Sequence, residues 1–396
     1  MGTYVPRLLM IVPAPVIRLP DGRLRMDVKF VEGMRLHKAL WAGTITVVLW
    51  DHGQTIPFGA DYAAADLGFD FVVLDAGAPV PGELIGRHDS IAASADMVET
   101  LDLAGSGRVP VIYSIEYTIG TRLKIVALDP GLGVLRKVRS MLWNLNVERK
   151  RRRALRAAAG VQANGYPALK AYRGLNPSII LYLDGRMRRG MMATPGDVAL
   201  RAAALRTGGP LRIVHSGRLE PMKGAQDLLP VARRLYDLGV DFTLDVFGTG
   251  TLEGALDGAL GSFGGRLRLH DPVDFETVLV PWMRANANLY LSCHRQSDPS
   301  CTYLEAMGCG VPVIGYNNAM WAAMQADSGS GWVVPMADTG AMADRIADLN
   351  GDRAALADHG ARALDFASHH DFETEFTRRM LHRADRRWAG HQRTLA

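Results

Sequence analysis

The sequence predicts an α/β protein built from two parallel-sheet domains, and three observations carry that expectation. Short apolar runs alternate with helix-like segments along the whole chain, the pattern of parallel strands covered by helices. The 396 residues are 48% hydrophobic and 22% charged, enough to bury more than one core. Near the middle, Asp184-Gly-Arg-Met-Arg-Arg-Gly190 combines glycine with charge, and Thr194-Pro-Gly-Asp197 then opens a new helix. The linker is placed there, so that residues 1–185 and 186–371 are two Rossmann-like domains and 372–396 a C-terminal helix.

In chain order, residues 8–17 imitate the apolar core of a signal peptide, but Pro13 and Pro15 interrupt them and no small-residue cleavage site follows. Residues 7–12 are read instead as the first strand. The remaining strands of the first half are 44–50, 69–74, 109–115 and 179–182. Those of the second are 211–215, 242–247, 266–269, 289–292, 312–314 and 332–334. No apolar run reaches the roughly 18 residues that span a bilayer, so the chain is expected in the cytoplasm. Cys293, Cys301 and Cys309 lack the spacing of a zinc site and are expected as reduced thiols. His37, His52, His215 and His294 form no i, i+4 pair and read as structural.

Two stretches of the second half bear chemistry. In Asp298-Pro-Ser300-Cys301-Thr302-Tyr-Leu-Glu305-Ala-Met, a turn follows a strand and a helix starts near Tyr303, with its free N–H groups suited to an anion. Glu305 lies one turn inside that helix, a place for a carboxylate that holds ligand hydroxyls. In His215-Ser-Gly217-Arg218-Leu-Glu-Pro-Met-Lys223-Gly224, a strand runs into a glycine turn with two cations, before a helix over 225–238. Ligands of open α/β sheets bind beyond the carboxyl ends of the strands, so Arg218 and Lys223 are placed for a diphosphate.

Together these stretches resemble the nucleotide-sugar half of retaining glycosyltransferases of family 4, which have the GT-B fold. The resemblance is carried by Gly217, Arg218, Lys223 and Gly224 and by the acidic turn leading to Glu305-Ala-Met and Pro312-Val313; it is firm over 210–334 and an outline before that. It implies two Rossmann-like domains facing across a cleft, with the last helix crossing back to the first domain. Gly217, Gly248, Gly250, Ser300, Cys301, Thr302 and Glu305 would then bind the donor, with Glu305 on the ribose, while Arg218, Lys223 and Asp298 serve catalysis. Six residues separate Asp298 from Glu305 where the family usually has about seven, which unsettles the role of Asp298 alone. No Asp-x-Asp occurs, so neither metal nor cofactor is expected. The implied reaction moves a sugar from a nucleoside-diphosphate sugar to a carbohydrate or lipid-linked acceptor with retained configuration, in polysaccharide or glycolipid assembly.

The first half departs from the resemblance. Residues 12–31, rich in Pro, Arg and Asp, replace the Gly-Gly loop of many relatives, while residues 33–40 resemble the helix that follows it. Glu116, after the strand 109–115, stands where many relatives place a histidine, and it is weighed equally as a catalytic residue or a solvated carboxylate. Asn164-Gly165-Tyr166-Pro167 reads as a cleft segment or a plain turn.

Two further readings stay open. Phe247-Gly248-Thr-Gly250-Thr-Leu-Glu-Gly254 mimics a dinucleotide fingerprint, with Asp271 as a ribose acid, so an NADP-dependent oxidoreductase is the alternative, followed by a non-catalytic sugar-nucleotide binder. Residues 134–156 hold nine Lys or Arg and one Glu, a net charge of +8 in a chain totalling +4. With Val134, Leu135, Val138, Met141, Leu142 and Leu145 as an apolar component, they suit an anionic membrane at its inner face better than nucleic acid; otherwise that stripe packs on its own domain.

Overall fold

The computed structural model describes residues 5–51, 53, 56, 59–107, 109–129 and 131–394; His52 lies outside them. The chain forms two compact units, one of the residues up to Tyr182 with those from Glu373 onward, the other of Leu183–Phe372.

In the second unit all six expected strands form, as one wholly parallel sheet. Across it lie Leu267–His270, Phe242–Phe247, Leu211–Ser216, Leu289–Ser292, Val313–Tyr316 and Trp332–Val334. In chain order this is 3-2-1-4-5-6, the doubly wound arrangement, whose order reverses between Leu211–Ser216 and Leu289–Ser292. The helix Leu228–Asp237 buries Leu228, Val231, Ala232 and Leu235, a spacing that puts all four on one face against the sheet residues Ile213, Leu244 and Leu291. Its first turn is a separate 3-10 turn, Ala225–Asp227, which shortens the expected helix. The helix Pro195–Thr207 opens with a reciprocal cap between Thr194 and Asp197, as its sequence foretells.

Residues 184–190 are not the free linker that their composition suggests. Arg186 bonds Glu305, the Met187 carbonyl accepts from the Phe372 N–H at 2.9 Å, and a Cβ on Gly308 would stand 2.7 Å from the Met187 side chain. The segment is packed into the second unit, where Arg186, Arg188 and Arg189 meet Glu305, Phe372 and Asp371, while Gly190 has open space around it.

The first unit repeats the winding with seven parallel strands, in the order Asp70–Asp75, Thr44–Asp51, Arg7–Arg18, Ser90–Ser94, Val111–Ile115, Gly160–Asn164 and Ile179–Tyr182. Here the sequence misleads in two ways. Residues 12–31 are not a loop: the first strand runs on to Arg18, turns where the Leu19 N–H donates to the Arg23 carbonyl at 2.9 Å, and returns as Leu24–Asp27, which pairs antiparallel with it and with Gly59–Tyr62. Pro13 and Pro15 are tolerated because the register shifts between Ile11 and Pro15, where a missing N–H costs little. Ser90–Ser94 and Gly160–Asn164 go unforeseen because small and polar residues fill them, yet every residue of both is buried.

The helix Val28–Leu40 follows, capped by Asp27, and the helix Phe372–Thr394 packs on this unit. Phe376 lies 4.7 Å from the His37 ring, close enough that a Cβ on Gly33 would be 3.1 Å away, and His382 meets Ser178 at 3.0 Å. Among the described residues no helix is long and apolar enough to cross a membrane.

Candidate functional site

The switch point of the second unit is built by backbone packed against backbone. Gly217 leaves the strand Leu211–Ser216 at φ 145°, and a Cβ on Gly248, itself at φ 142°, would stand 2.0 Å from the Gly217 carbonyl oxygen. One on Gly250 would stand 2.6 Å from the Leu219 carbonyl oxygen, while the Leu219 N–H donates to the Thr249 carbonyl at 2.9 Å. Gly254 has nothing within 4 Å. In a dinucleotide fingerprint the third glycine is needed for close helix packing, so this loop's glycines answer to residues 217–219 and not to that motif.

After the turn Pro221–Lys223, Gly224 takes φ 76°, and a Cβ on it would lie 1.7 Å from the Cys293 carbonyl oxygen. That contact fixes where Lys223 stands. Its Nζ meets Asp298 Oδ2 at 2.7 Å, with side chains only 12% and 15% exposed, while Asp298 Oδ1 is buried without a hydrogen-bond partner. Arg218, by contrast, is exposed; its carbonyl accepts from the Glu220 N–H at 2.9 Å, but its guanidinium makes no hydrogen bond or ion pair with a described residue. One cation is therefore held by a carboxylate and the other is open to an anion.

The following helix is Cys301–Gly308, two residues earlier than the expected start at Tyr303. Its cap residue Ser300 makes no capping bond and meets Thr302 side chain to side chain at 2.9 Å, leaving the first-turn N–H groups without a side-chain cap. Glu305 is 1% exposed; Oε1 accepts from Arg186 Nε at 2.9 Å, and Oε2 is buried without a partner. Arg186 lies over the Phe275 ring at 4.0 Å. Only charge within a presumed linker marked this arginine, and no sequence spacing ties it to Glu305.

No disulfide joins the three cysteines; Cys293 and Cys309 are buried, which pushes the Cys309 thiol up to about 12, and Cys301 is half-buried. His215 and His294 are buried, and burial holds both below the ordinary histidine range, His294 well below it. They are neutral groups of the core. Gly217, Gly248, Gly250, Arg218, Lys223, Asp298, Ser300, Cys301, Thr302 and Glu305 thus all belong to the carboxyl edge of one sheet and the loops leaving it.

Glu116 belongs to the first unit, directly after the strand Val111–Ile115, and its Oε2 accepts from Asn164 Nδ2 at 3.0 Å. Beside it stands Asp96, which the sequence did not disclose. Its carboxylate accepts from the N–H groups of Glu116 at 2.9 Å and Tyr117 at 3.2 Å, and from the Arg122 guanidinium. Burial raises the Asp96 pKa, and the charge of Arg122 partly opposes this. Asn164-Gly165 opens a helix, Tyr166–Tyr172, with Gly165 at φ 83°. Among the described residues no cluster of three or more His, Cys, Asp or Glu is placed to hold a metal.

Residues 210–352 match the family model described as Glycosyl transferases group 1. Among curated proteins none matches the sequence. Solved structures resemble the whole chain: Anabaena HepE in complex with UDP, 16% identical, covering 95% of this chain and 98% of that one at a TM-score of 0.63. Sucrose-phosphate synthase from Thermosynechococcus elongatus is 16% identical over 97% of this chain and 99% of its own, TM-score 0.66. WaaG, a glycosyltransferase involved in lipopolysaccharide biosynthesis, is 13% identical over 94% and 98%, TM-score 0.57. The chain therefore shares the GT-B fold of these structures, and its residues 210–352 resemble the glycosyl transferases group 1 family.

Proposed function

We propose that the protein transfers a sugar from a nucleoside-diphosphate sugar to an acceptor hydroxyl with retention of configuration, in the manner of family 4 glycosyltransferases. The observation that carries this reading is the pair of cations at the switch point, Arg218 unpaired and Lys223 on a turn that Gly224 locks against Cys293. Structures of HepE hold UDP and UDP-glucose, which supports a nucleotide-sugar donor here.

In this reading the diphosphate lies against Arg218, Lys223 and the first-turn N–H groups of Cys301–Gly308, and Lys223 exchanges part of its contact with Asp298 for a phosphate oxygen. Glu305 offers its unpartnered Oε2 to the ribose hydroxyls. As the bond from the anomeric carbon to the diphosphate oxygen breaks, the acceptor oxygen bonds that carbon from the same face, and its proton passes to the departing diphosphate. Charge grows on the diphosphate, so contacts that strengthen there raise the rate. Arg218 and Lys223 supply them without a metal or cofactor. Glu116 is assigned to the acceptor, a carbohydrate or lipid-linked hydroxyl of polysaccharide or glycolipid assembly in the cytoplasm.

A thermal-shift screen of UDP, GDP, ADP and their sugars identifies the donor, since a ligand stabilises the state that binds it. With that donor, Arg218→Ala is expected to lose about a hundred- to thousandfold in transfer, or about 2.7–4 kcal/mol of barrier, with EDTA without effect on the wild type. Glu305→Ala should weaken nucleotide binding by about 1.5–3 kcal/mol in calorimetry. Near-wild-type transfer by the Arg218 variant, or loss of activity in EDTA, would show that the diphosphate is held elsewhere.

A further inference from the structure

The helix Val134–Ala157 presents one outward face with two kinds of residue arranged lengthwise. It is held to its own unit by Asn144, Val147, Glu148, Arg151, Ala154 and Leu155, whose spacing of three and four residues puts them on a single buried face. That anchor differs from the apolar stripe seen in the sequence. Arg151 is buried in it, its Nη1 bonding Glu148 at 2.8 Å and its Nε donating to the Ala95 carbonyl at 2.8 Å.

The apolar stripe therefore faces away from the unit. Val134, Leu135, Val138, Leu142 and Leu145 are all exposed, Leu135 at 87% and Leu142 at 63%, with Trp143 exposed at their flank. At 3.6 residues per turn the same line continues from Leu145 to Arg149, Arg153 and Arg156, which are exposed too. The outward face is thus apolar over the first three turns and cationic over the last ones. Such a run of exposed apolar side chains is not ordinary solvated surface, and the cations beside it state the charge of what covers it.

We propose that this face docks on an anionic lipid bilayer, with Val134 to Leu145 entering the boundary between headgroups and acyl chains and Arg149, Arg153 and Arg156 meeting the headgroups. A nucleic acid would use the arginines and leave the leucines in water, whereas a membrane takes both. The inference needs nothing of the sugar chemistry and stands or falls separately from it.

The test is co-flotation of the full chain with phosphatidylcholine vesicles, with and without phosphatidylglycerol, at low and high salt. Binding is expected only to the anionic vesicles and should weaken with salt. Arg149→Gln with Arg153→Gln should lower the partition on the order of thirtyfold, from about 1 kcal/mol for each cation. Leu135→Ser with Leu142→Ser should lower it on the order of a hundredfold, and since both leucines are exposed the circular dichroism should not change. Failure of the wild type to float with anionic vesicles overturns the proposal. So does binding that the leucine pair does not affect but duplex RNA competes away, the mark of a nucleic-acid surface. A dimer in light scattering that the leucine pair dissociates would assign the face to a second copy of the chain and overturn it equally.

Discussion

The two units share one winding order but furnish the carboxyl edges of their sheets by different means. In the second unit, loops press backbone against backbone: Gly248 on Gly217, Gly250 on Leu219, Gly224 on Cys293. In the first, side chains from separate strand ends meet: Asp96 after Ser90–Ser94, Glu116 after Val111–Ile115, Asn164 at the end of Gly160–Asn164, with Arg122 closing the group. Close backbone approach admits only glycine, so it writes a residue type at each contact. A side-chain network admits many solutions and writes nothing regular.

The largest expected effect sharpens the first half of that comparison. Arg122 and Asp96 are an ion pair with side chains 15% and 19% exposed, and Arg122→Ala leaves the carboxylate with only its two backbone donors. Removing one partner of a buried pair typically costs 3–5 kcal/mol, and the residual exposure puts this one near about 3. Asp96→Asn should cost a comparable amount, since the Glu116 and Tyr117 N–H groups bond different carboxylate oxygens and a single amide oxygen can accept from only one of them while the NH2 group opposes the other. Urea unfolding measures both. A loss below about 1 kcal/mol for Arg122→Ala would mean that the network does not hold the first unit's edge together.

In the second unit the corresponding substitutions fall on glycine. Gly224→Ala and Gly248→Ala combine a left-handed φ with a Cβ that would overlap a carbonyl oxygen at 1.7 and 2.0 Å, so each is expected to destabilise by roughly 2–4 kcal/mol. Gly254→Ala, in the helix Glu253–Asp257 with open space around it, should be neutral or up to about 1 kcal/mol stabilising. Equal losses at Gly248 and Gly254 in denaturant melts would return the loop to the dinucleotide reading, in which all three glycines matter.

This contrast explains what the sequence discloses. All six strands of the second unit and the place of Arg218 and Lys223 beyond the end of the strand Leu211–Ser216 are legible, because wholly buried parallel strands read as Val, Ile, Leu and Phe runs and the turns between them demand glycine. Arg186 is not legible. Its partner Glu305 lies 119 residues away, and nothing local in a glycine- and arginine-rich segment shows that it is packed. Asp96 is hidden for a related reason: the strand before it is Ser-Ile-Ala-Ala-Ser, and a strand that is not recognised cannot lend meaning to the carboxylate at its end. The hairpin in residues 12–31 fails to show because two prolines argue against a strand, and only the register shift at Pro15 makes them acceptable.

The smallest expected effect compares the units through their buried histidines. Burial lowers the pKa of His215 and His294 in the second unit and of His37 in the first, where Arg383 adds to it. An unfolded histidine titrates near 6.5, so above that pH both states hold the ring neutral and pH has no effect through these groups. Below it the unfolded chain takes up protons that the folded chain refuses, and stability falls with pH until the lowered folded pKa values are reached. Each histidine contributes a slope that grows as the pH falls through that window and is at most about 1.4 kcal/mol per pH unit. The lowered carboxylates Asp197, Asp274 and Glu220 act only near and below their own ordinary range, well under this one. Burial also lowers the half-buried His359, so with three such rings against one among the described residues the second unit should lose stability more steeply between pH 6.5 and 5.5. Pulse proteolysis in urea, with mass spectrometry locating the cuts, separates the units. An urea midpoint that is flat over that range in the second unit would mean that His215 and His294 accept protons in the folded state, and that the core around the switch point is wetter than its burial implies.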